Sequence, residues 1–462
     1  MSHAVVIGSS LSGLLAARVL SDYVDQVTVL ERDELPEQAE YRGSVPQARH
    51  LHVLLAKGRE ILTQLFPRFE ADFAALGIAT IDIGLDTSAF TAGGWTKRVR
   101  AGVLSNPVSR VTIDWYVYSQ LRQHPNVTFL SRREVQRLVT DADRRIVTGV
   151  EVLNREDQST QTLAADLVID ASGRTSKTPQ WLQDLGYDAP PRTVVNSYLG
   201  YATRWFQMPA GQTFDWHILL ITALPTKGNF RGGAIQRIEG DRWVVTLGGV
   251  NKTYPPTDDD GFLEFARQLP STAIYEIIKD AEPISPVYGY RRTENIWNHY
   301  ERLSRHPEHL LVMGDAYCGF NPIYGQGMSV AAMEAQKLDE LLRQYGPAGL
   351  SPAVFYGVLA KIIANPWLLA TGEDLRYPGT EGDRPGWLAR MAQKYVDRVI
   401  AVLPLDEVVG TAFIKVNNLM EPPQVLFRPD IIARVLGYTL RGVRQDESLN
   451  APVQPMKPAV GD

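Results

Sequence analysis

The first 31 residues constrain the fold more than any other stretch. Ala4 to Ile7 is a short, largely β-branched run suited to a buried parallel strand, and Gly8 to Gly13 is a turn of small residues. Leu14 to Leu20 has helical periodicity, and Val27 to Leu30 is a second apolar run that ends in Glu31. A strand–turn–helix–strand unit of about 30 residues is the length a parallel crossover requires. The turn reads Gly8-Ser9-Ser10-Leu11-Ser12-Gly13, a Gly-x-Gly-x-x-Gly pattern with Ser10 at the second glycine. The first glycine permits a tight turn. The second position must be small so that the backbone can approach a pyrophosphate at a helix N-terminus, and the last glycine lets helix and strand pack closely. Glu31 follows Gly13 by 18 residues, where a carboxylate can accept both ribose hydroxyls of an adenine dinucleotide. The bland alternative is a plain crossover turn with a surface glutamate. The motif by itself does not separate FAD from NAD.

The chain has 462 residues, which favours two intertwined domains over one simple core. Hydrophobic residues make up 44% and charged residues 21%, enough apolar material for a sizeable core. A formal net charge of −5 gives no electrostatic basis for nucleic-acid binding. Cys318 is the only cysteine, so no intrachain disulfide or Cys/His metal spacing exists. With a first strand that begins at once, this predicts no signal peptide and a reducing, cytoplasmic location. No apolar stretch is expected to reach the ~18 residues of a transmembrane helix.

Patterning predicts an α/β fold. A Rossmann-like dinucleotide-binding domain, which the resemblance given below makes an FAD-binding one, is assembled from residues 1–80, 107–190 and 301–350. A mixed β-sheet substrate domain is inserted through strands in 81–106 and through 191–300, and a helical C-terminal region spans 351–445. Residues 446–462 are polar and predicted to be a disordered tail.

A second motif lies at Leu311 to Met328. A strand ends in Gly314-Asp315, a loop carries Pro322, and Gly325-Gln326-Gly327-Met328 opens a helix. This puts a carboxylate where it can bind a ribityl hydroxyl and aims a helix dipole at a flat ring lying on glycine backbone. Here the chain resembles the FAD-dependent monooxygenases of the aromatic-hydroxylase and squalene-epoxidase type. Residues 165–176, Ala-Asp-Leu-Val-Ile-Asp-Ala-Ser-Gly-Arg-Thr-Ser, fall where that family has its middle motif, with Ser172 in place of the usual Asp and no Arg after Ser176. The resemblance therefore implies FAD as cofactor and O2 as co-substrate, with electrons from NAD(P)H or from a separate flavin reductase. It also implies a flavin C4a-hydroperoxide as oxidant. Val45-Pro46-Gln47-Ala48-Arg49-His50-Leu51-His52 and residues 367–376 look most like a bacterial polyether polyketide epoxidase-like subgroup, which implies natural-product biosynthesis and a large apolar substrate.

The resemblance directs attention to cofactor contacts rather than to a triad or metal site. Besides Gly8, Ser9, Ser10, Leu11, Ser12, Gly13 and Glu31, it implicates Arg32, Arg42, Gln47, Arg49 and Arg110, each of which could equally be a solvated polar side chain. Val135 offers a backbone edge to adenine or is ordinary core. Asp170 and Gly173 in the middle motif, and Gly314, Asp315, Pro322, Gly325, Gln326, Gly327 and Met328 in the second, complete the set. His50 and Tyr324 are catalytic candidates weighed against structural roles, as are His52 and Asn321. An Asp374–Arg376 ion pair is expected to fix a helix end, and Cys318 to be a small buried residue. Trp205, Phe206, Trp216 and Trp243 are expected to be sheet core in part, with some lining an apolar pocket over the flavin. The competing functions are a prenyl-type FAD reductase, a flavin halogenase (against which the missing Trp-x-Trp-x-Ile signature argues) and a non-redox flavin enzyme.

Overall fold

The computed structural model describes residues 2–43, 45–442 and 450–452. Most of the expected tail therefore lies outside the described residues. A five-stranded, all-parallel sheet forms the larger layer, in the order Leu310–Val312, Leu167–Asp170, His3–Ile7, Gln26–Leu30, Val127–Leu130. Its strands come from three distant parts of the chain. Ile7 lies opposite both Asp170 and Leu30, so the carboxyl ends of the central strands share one edge. That edge is where ligands bind in open parallel sheets. The strands read as continuous apolar runs because helices cover both faces. Leu11–Leu20 and Gly327–Tyr345 pack together on this core, which also buries Phe355, Tyr356, Leu359 and Ile363.

A seven-stranded mixed sheet makes the second layer. Thr87–Thr91 and Gly94–Trp95 join it at one edge, the former parallel to Ile218–Ile221. Gly200–Gln207, Arg231–Ile238 and Arg242–Gly249 form its long antiparallel centre. Successive side chains alternate across the sheet. Ala202 and Phe206 therefore face a core of Trp216, Trp243 and the helix residues Phe262 and Phe265, while Tyr201, Thr203 and Trp205 face the segment around His50. Phe206, Trp216 and Trp243 are sheet core, while Trp205 lies on the face towards His50 with Tyr201, and Tyr290 stacks on Tyr201 there.

Ala56–Leu65 and Phe69–Ala75 are two helices rather than one because Pro67 cannot continue the first. Beyond 350 come Pro352–Asp374, Trp387–Val402, Glu407–Asn417 and Pro429–Leu440. One expectation is overturned here. Pro352–Asp374, 23 residues with mean hydropathy 1.5, is long and apolar enough to cross a membrane. Lys361 interrupts its middle, and its face of Phe355, Leu359 and Ile363 is fully buried in the main core, although only 33% of its apolar window is buried.

Candidate functional site

The dinucleotide turn is built tightly. Gly8 has φ +98°, and a methyl there would sit 2.7 Å from the Ala171 carbonyl oxygen. A methyl on Gly13 would lie 1.9 Å from the Gly8 carbonyl oxygen, so both ends of the motif require glycine. Ser10 is the N-cap residue of the helix Leu11–Leu20, whose free N–H groups open onto the sheet edge, and Leu11 is buried beneath it. Glu31 is buried and accepts from the Ser9 backbone N–H at 3.1 Å, the Ser9 hydroxyl at 2.6 Å and the Asp33 N–H at 3.0 Å.

Two arginines converge on this turn. Arg42 donates to the Ser9 hydroxyl at 2.6 Å and the Ser9 carbonyl at 3.1 Å, and pairs with Glu31 at 3.2 Å. Arg110, at the start of the helix Arg110–Leu121, donates to the Ser10 hydroxyl at 2.9 Å and is steadied by Asp114 at 2.9 Å. Two guanidinium groups, each balanced by a carboxylate (Glu31 and Asp114), and a helix N-terminus gather N–H donors suited to a pyrophosphate. A cleft beside it is lined by Ser9, Arg42, Val45, Val111, Trp115 and Tyr118. Arg32 is exposed at the rim, with its carbonyl engaged by Arg155. Val135 is buried, in register with Val152 next to a bulge.

The second motif closes the other end. Gly314 has φ +64°, and a methyl there would approach Ser12 Oγ to 2.5 Å, so the two cofactor motifs touch. Its N–H donates to Glu334 at 2.6 Å. Burial pushes the Glu334 carboxyl up to about 8, with the Gly314 N–H pulling the other way and Asp315 adding to the rise. Asp315 is the partly exposed carboxylate of the turn and lies 3.4 Å from Arg174. Arg174 also donates to the carbonyls of Glu294 and Phe320, and its guanidinium lies against Gly319. Sequence reasoning passed over both Arg174 and Glu334. The first sat in a quoted motif, and the second has the look of an ordinary helix residue.

The middle motif behaves differently from expectation. Asp170 is fully buried and accepts from the Ser172 N–H and from the hydroxyls of Ser176 and Thr178. It ties its own loop and presents no free carboxylate to the sheet edge. Gly173, with φ +81° and open space around it, stays accessible.

On the substrate-sheet side, Pro46–Arg49 is a short 3-10 turn that includes Gln47 and lays Arg49, His50 and Leu51 across the sheet. Arg49 is held between the rings of Tyr41 and Tyr288, 4.8 and 4.7 Å from their centroids, and its carbonyl accepts from Trp205. His50 is hydrogen-bonded to Thr203 at 2.8 Å, with the Tyr201 ring 4.7 Å away. Burial, then the Arg49 charge, lowers His50 to about 4, and burial lowers His52 to about 3. Both are neutral at pH 7. Leu199, Tyr201, Val250, Phe230, Tyr290 and Tyr377 form an apolar, aromatic cluster beside them. Leu199 and Ile323 both reach towards Gly248, which joins that cluster to the Pro322 loop.

Asn321 and Tyr324 both bind Asp374, at 3.0 and 2.8 Å. Arg376 instead pairs with Glu373 at 3.0 Å and with Asp397. The expected Asp374–Arg376 pair is therefore not formed, because a side chain two residues further round a helix end points elsewhere. Cys318 is buried, which pushes its thiol well up and leaves it inert.

These residues fit FAD. The glycine cradles at Gly8, Gly13 and Gly314 follow one edge, and Ser12 Oγ and Gln326 Oε1 are buried without a partner among the described residues. Gly325 has φ +65°, a methyl at Gly327 would meet nothing within 4 Å, and Met328 is buried beneath the helix start. FAD supplies the redox chemistry when bound. The chain supplies a seat of N–H donors at one end, and at the other a helix N-terminus at Gly327 beside a buried apolar cluster.

Residues 1–345 match the FAD binding domain family. The chain is 31% identical over 454 residues to protein Rv3254 of Mycobacterium tuberculosis, covering 95% of this chain and 94% of that one. It is 25% identical over 424 residues to kynurenine 3-monooxygenase from Salinispora arenicola, covering 86% and 84%. A solved flavoprotein/dehydrogenase from Cytophaga hutchinsonii superposes with TM-score 0.68 at 13% identity, over 96% of this chain and 100% of that one, which speaks to the fold. With two glycine cradles meeting at Ser12 and Gly314 and this family match over most of its length, the chain belongs to the FAD-binding-domain family of flavin-dependent monooxygenases.

Proposed function

We propose that the protein inserts one oxygen atom from O2 into a large apolar olefin, such as a polyketide or terpenoid, with epoxidation favoured over hydroxylation. The observation that supports this reading is the buried apolar cluster of Leu199, Tyr201, Phe230, Val250 and Tyr290, joined through Gly248 to the Pro322 loop at Ile323 and packed beside a His50 that burial keeps neutral. If that cluster opens to a ligand, its aliphatic and aromatic side chains would suit a hydrocarbon chain and exclude the water that would waste the oxidant. Gly8–Gly13, Glu31, Arg42 and Arg110 would seat the adenosine diphosphate part of FAD, with Val135 at the adenine. Asp315 would bind the ribityl chain, and Gly325–Met328 would receive the ring. Gln47 and Arg49 would border the ring from the opposite segment. Electrons would come from a separate flavin reductase or directly from NAD(P)H, and the enzyme would act in the cytoplasm.

The test supplies reduced FAD and isotopically heavy O2 with a panel of polyketide and terpenoid olefins. Aromatic amino ketones are included, because one relative is a kynurenine 3-monooxygenase. The expected product gains one heavy oxygen and carries an oxirane. Hydrogen peroxide alone across all olefins would sink the proposal. A saturated product formed anaerobically would select the prenyl-type reductase, and a halide-dependent product the halogenase.

A further inference from the structure

Asp374 ends the helix Pro352–Asp374, beyond the region matched by the FAD binding domain, and is 1% exposed. Its Oδ1 accepts from the Tyr324 hydroxyl at 2.8 Å and from Asn321 Nδ2 at 3.1 Å. Its Oδ2 accepts from Asn295 Nδ2 at 2.7 Å and from Asn321 Nδ2 at 3.0 Å. Asn321 is held a second time, its N–H donating to Asn295 Oδ1 at 2.7 Å. Among the described residues Asp374 forms no ion pair, since Arg376 is spent on Glu373 and Asp397. A buried carboxylate costs several kcal/mol to desolvate, and here neutral donors alone offset that cost.

The donors share one property. Asn321 and Tyr324 belong to the loop that delivers the helix Gly327–Tyr345, and Asn295 starts the strand that pairs with Cys318–Gly319 just before that loop. The segment following Asp374 is stitched in turn to the substrate sheet's approach. Asn196 and Glu381 exchange two backbone hydrogen bonds of 2.9 Å, and Tyr198 donates to the Glu381 carboxylate. Residues 374–381 thus bridge the loop of the second motif and the entry to the substrate sheet.

We infer that Asp374 is a positioning residue of the flavin site, its carboxylate fixing the Asn321–Gly325 loop and, through it, the amino end of the helix at Gly327. The inference rests on FAD binding and is independent of the olefin chemistry. A displaced helix N-terminus stabilises an anionic reduced ring less, so loosening the clamp makes the flavin midpoint potential more negative.

The experiment compares Asp374→Asn, Asp374→Ala and Tyr324→Phe in the full chain. Arg376→Gln, which breaks ion pairs at the same helix end without touching the clamp, is the control. FAD affinity is read by fluorescence titration of the apoprotein, the potential by dye-coupled reduction, and stability by Tm. Asp374→Asn can retain Asn295 and Asn321 through its amide oxygen while its amide nitrogen faces the Tyr324 hydroxyl, which can accept. The expected order of FAD weakening is therefore Asp374→Ala, about tenfold or more, then Asp374→Asn, then Tyr324→Phe. The potential should become more negative in the same order, and Arg376→Gln should lower only Tm. If the Asp374 variants do not fold, Tyr324→Phe decides alone. Variants that lower Tm while leaving FAD affinity and potential at wild-type values would overturn the inference.

Discussion

Single residues set the charge balance of this site. Glu334 donates nothing to a ligand directly, yet it holds the Gly314 N–H at 2.6 Å from full burial. Its folded-state pKa of about 8 lies above the ordinary 4.5. The folded state therefore keeps a proton that the unfolded chain releases. The associated stability is complete below the ordinary value and is lost as pH rises towards about 8. Glu334→Gln, which keeps an acceptor for Gly314, should flatten the fall in Tm between pH 5 and pH 8. Equal slopes in wild type and variant would show that Glu334 is ionised when folded. At the other end, Arg42 and Arg110 each present a guanidinium to the dinucleotide turn. Arg42→Met or Arg110→Met should weaken FAD binding by about tenfold apiece, as loss of a charged hydrogen bond does, and should also lower Tm, because each leaves a largely buried carboxylate, Glu31 or Asp114, without its cation. Both arginines were legible in the sequence as candidates. Glu334 and Arg174 were not, because their partners, Gly314 and Asp315, are 20 and 141 positions away in a chain whose pairing only the fold supplies.

Elements were read best where periodicity and turn chemistry agreed. The two strands of the opening crossover were legible to within about one residue because a glycine turn separates two apolar runs, whereas the helix begins at Leu11, inside the stretch read as turn. Gly13→Ala tests that reading. A methyl 1.9 Å from the Gly8 carbonyl forces the helix Leu11–Leu20 off its strand. The expected cost is at least about 1–3 kcal/mol, with FAD affinity falling in parallel. Retained affinity and Tm would mean that the helix shifts without cost. Residues 191–300 were legible as sheet, but neither the bounds of the strand Gly200–Gln207 nor which of its faces met the site was. Alternation specifies two faces, and only the approach of His50 to Thr203 and of Trp205 to Arg49 selects Tyr201 over Phe206. The Asp374–Arg376 pair failed for a related reason. Spacing along a helix end fixes neither where a side chain points nor the stronger claims of Asn321 and Tyr324 on the carboxylate.

At the scale of the molecule, the parallel sheet draws its strands from three stretches of chain, so no single segment carries the cofactor domain. The C-terminal region divides unequally in its support. Phe355, Tyr356, Leu359 and Ile363 belong to the same core as the sheet, whereas Val399, Val402, Val409, Val416 and Val435 form a cluster of their own. Removing a buried aromatic or aliphatic side chain costs about 2–5 kcal/mol, against a total stability of about 5–15 kcal/mol. A chain ending at residue 350 loses four such side chains together with the Asp374 clamp, and should neither fold nor bind FAD. A chain ending at residue 386 keeps them and removes the separate cluster. It also loses the Asn418 carbonyl and side chain that accept from Lys57 and Ala56, so it should fold with a lowered Tm. Circular dichroism and FAD titration of the two chains separate the cases. If the shorter chain still binds FAD, the helix Pro352–Asp374 is an appendage to the cofactor domain, and the clamp it carries is dispensable.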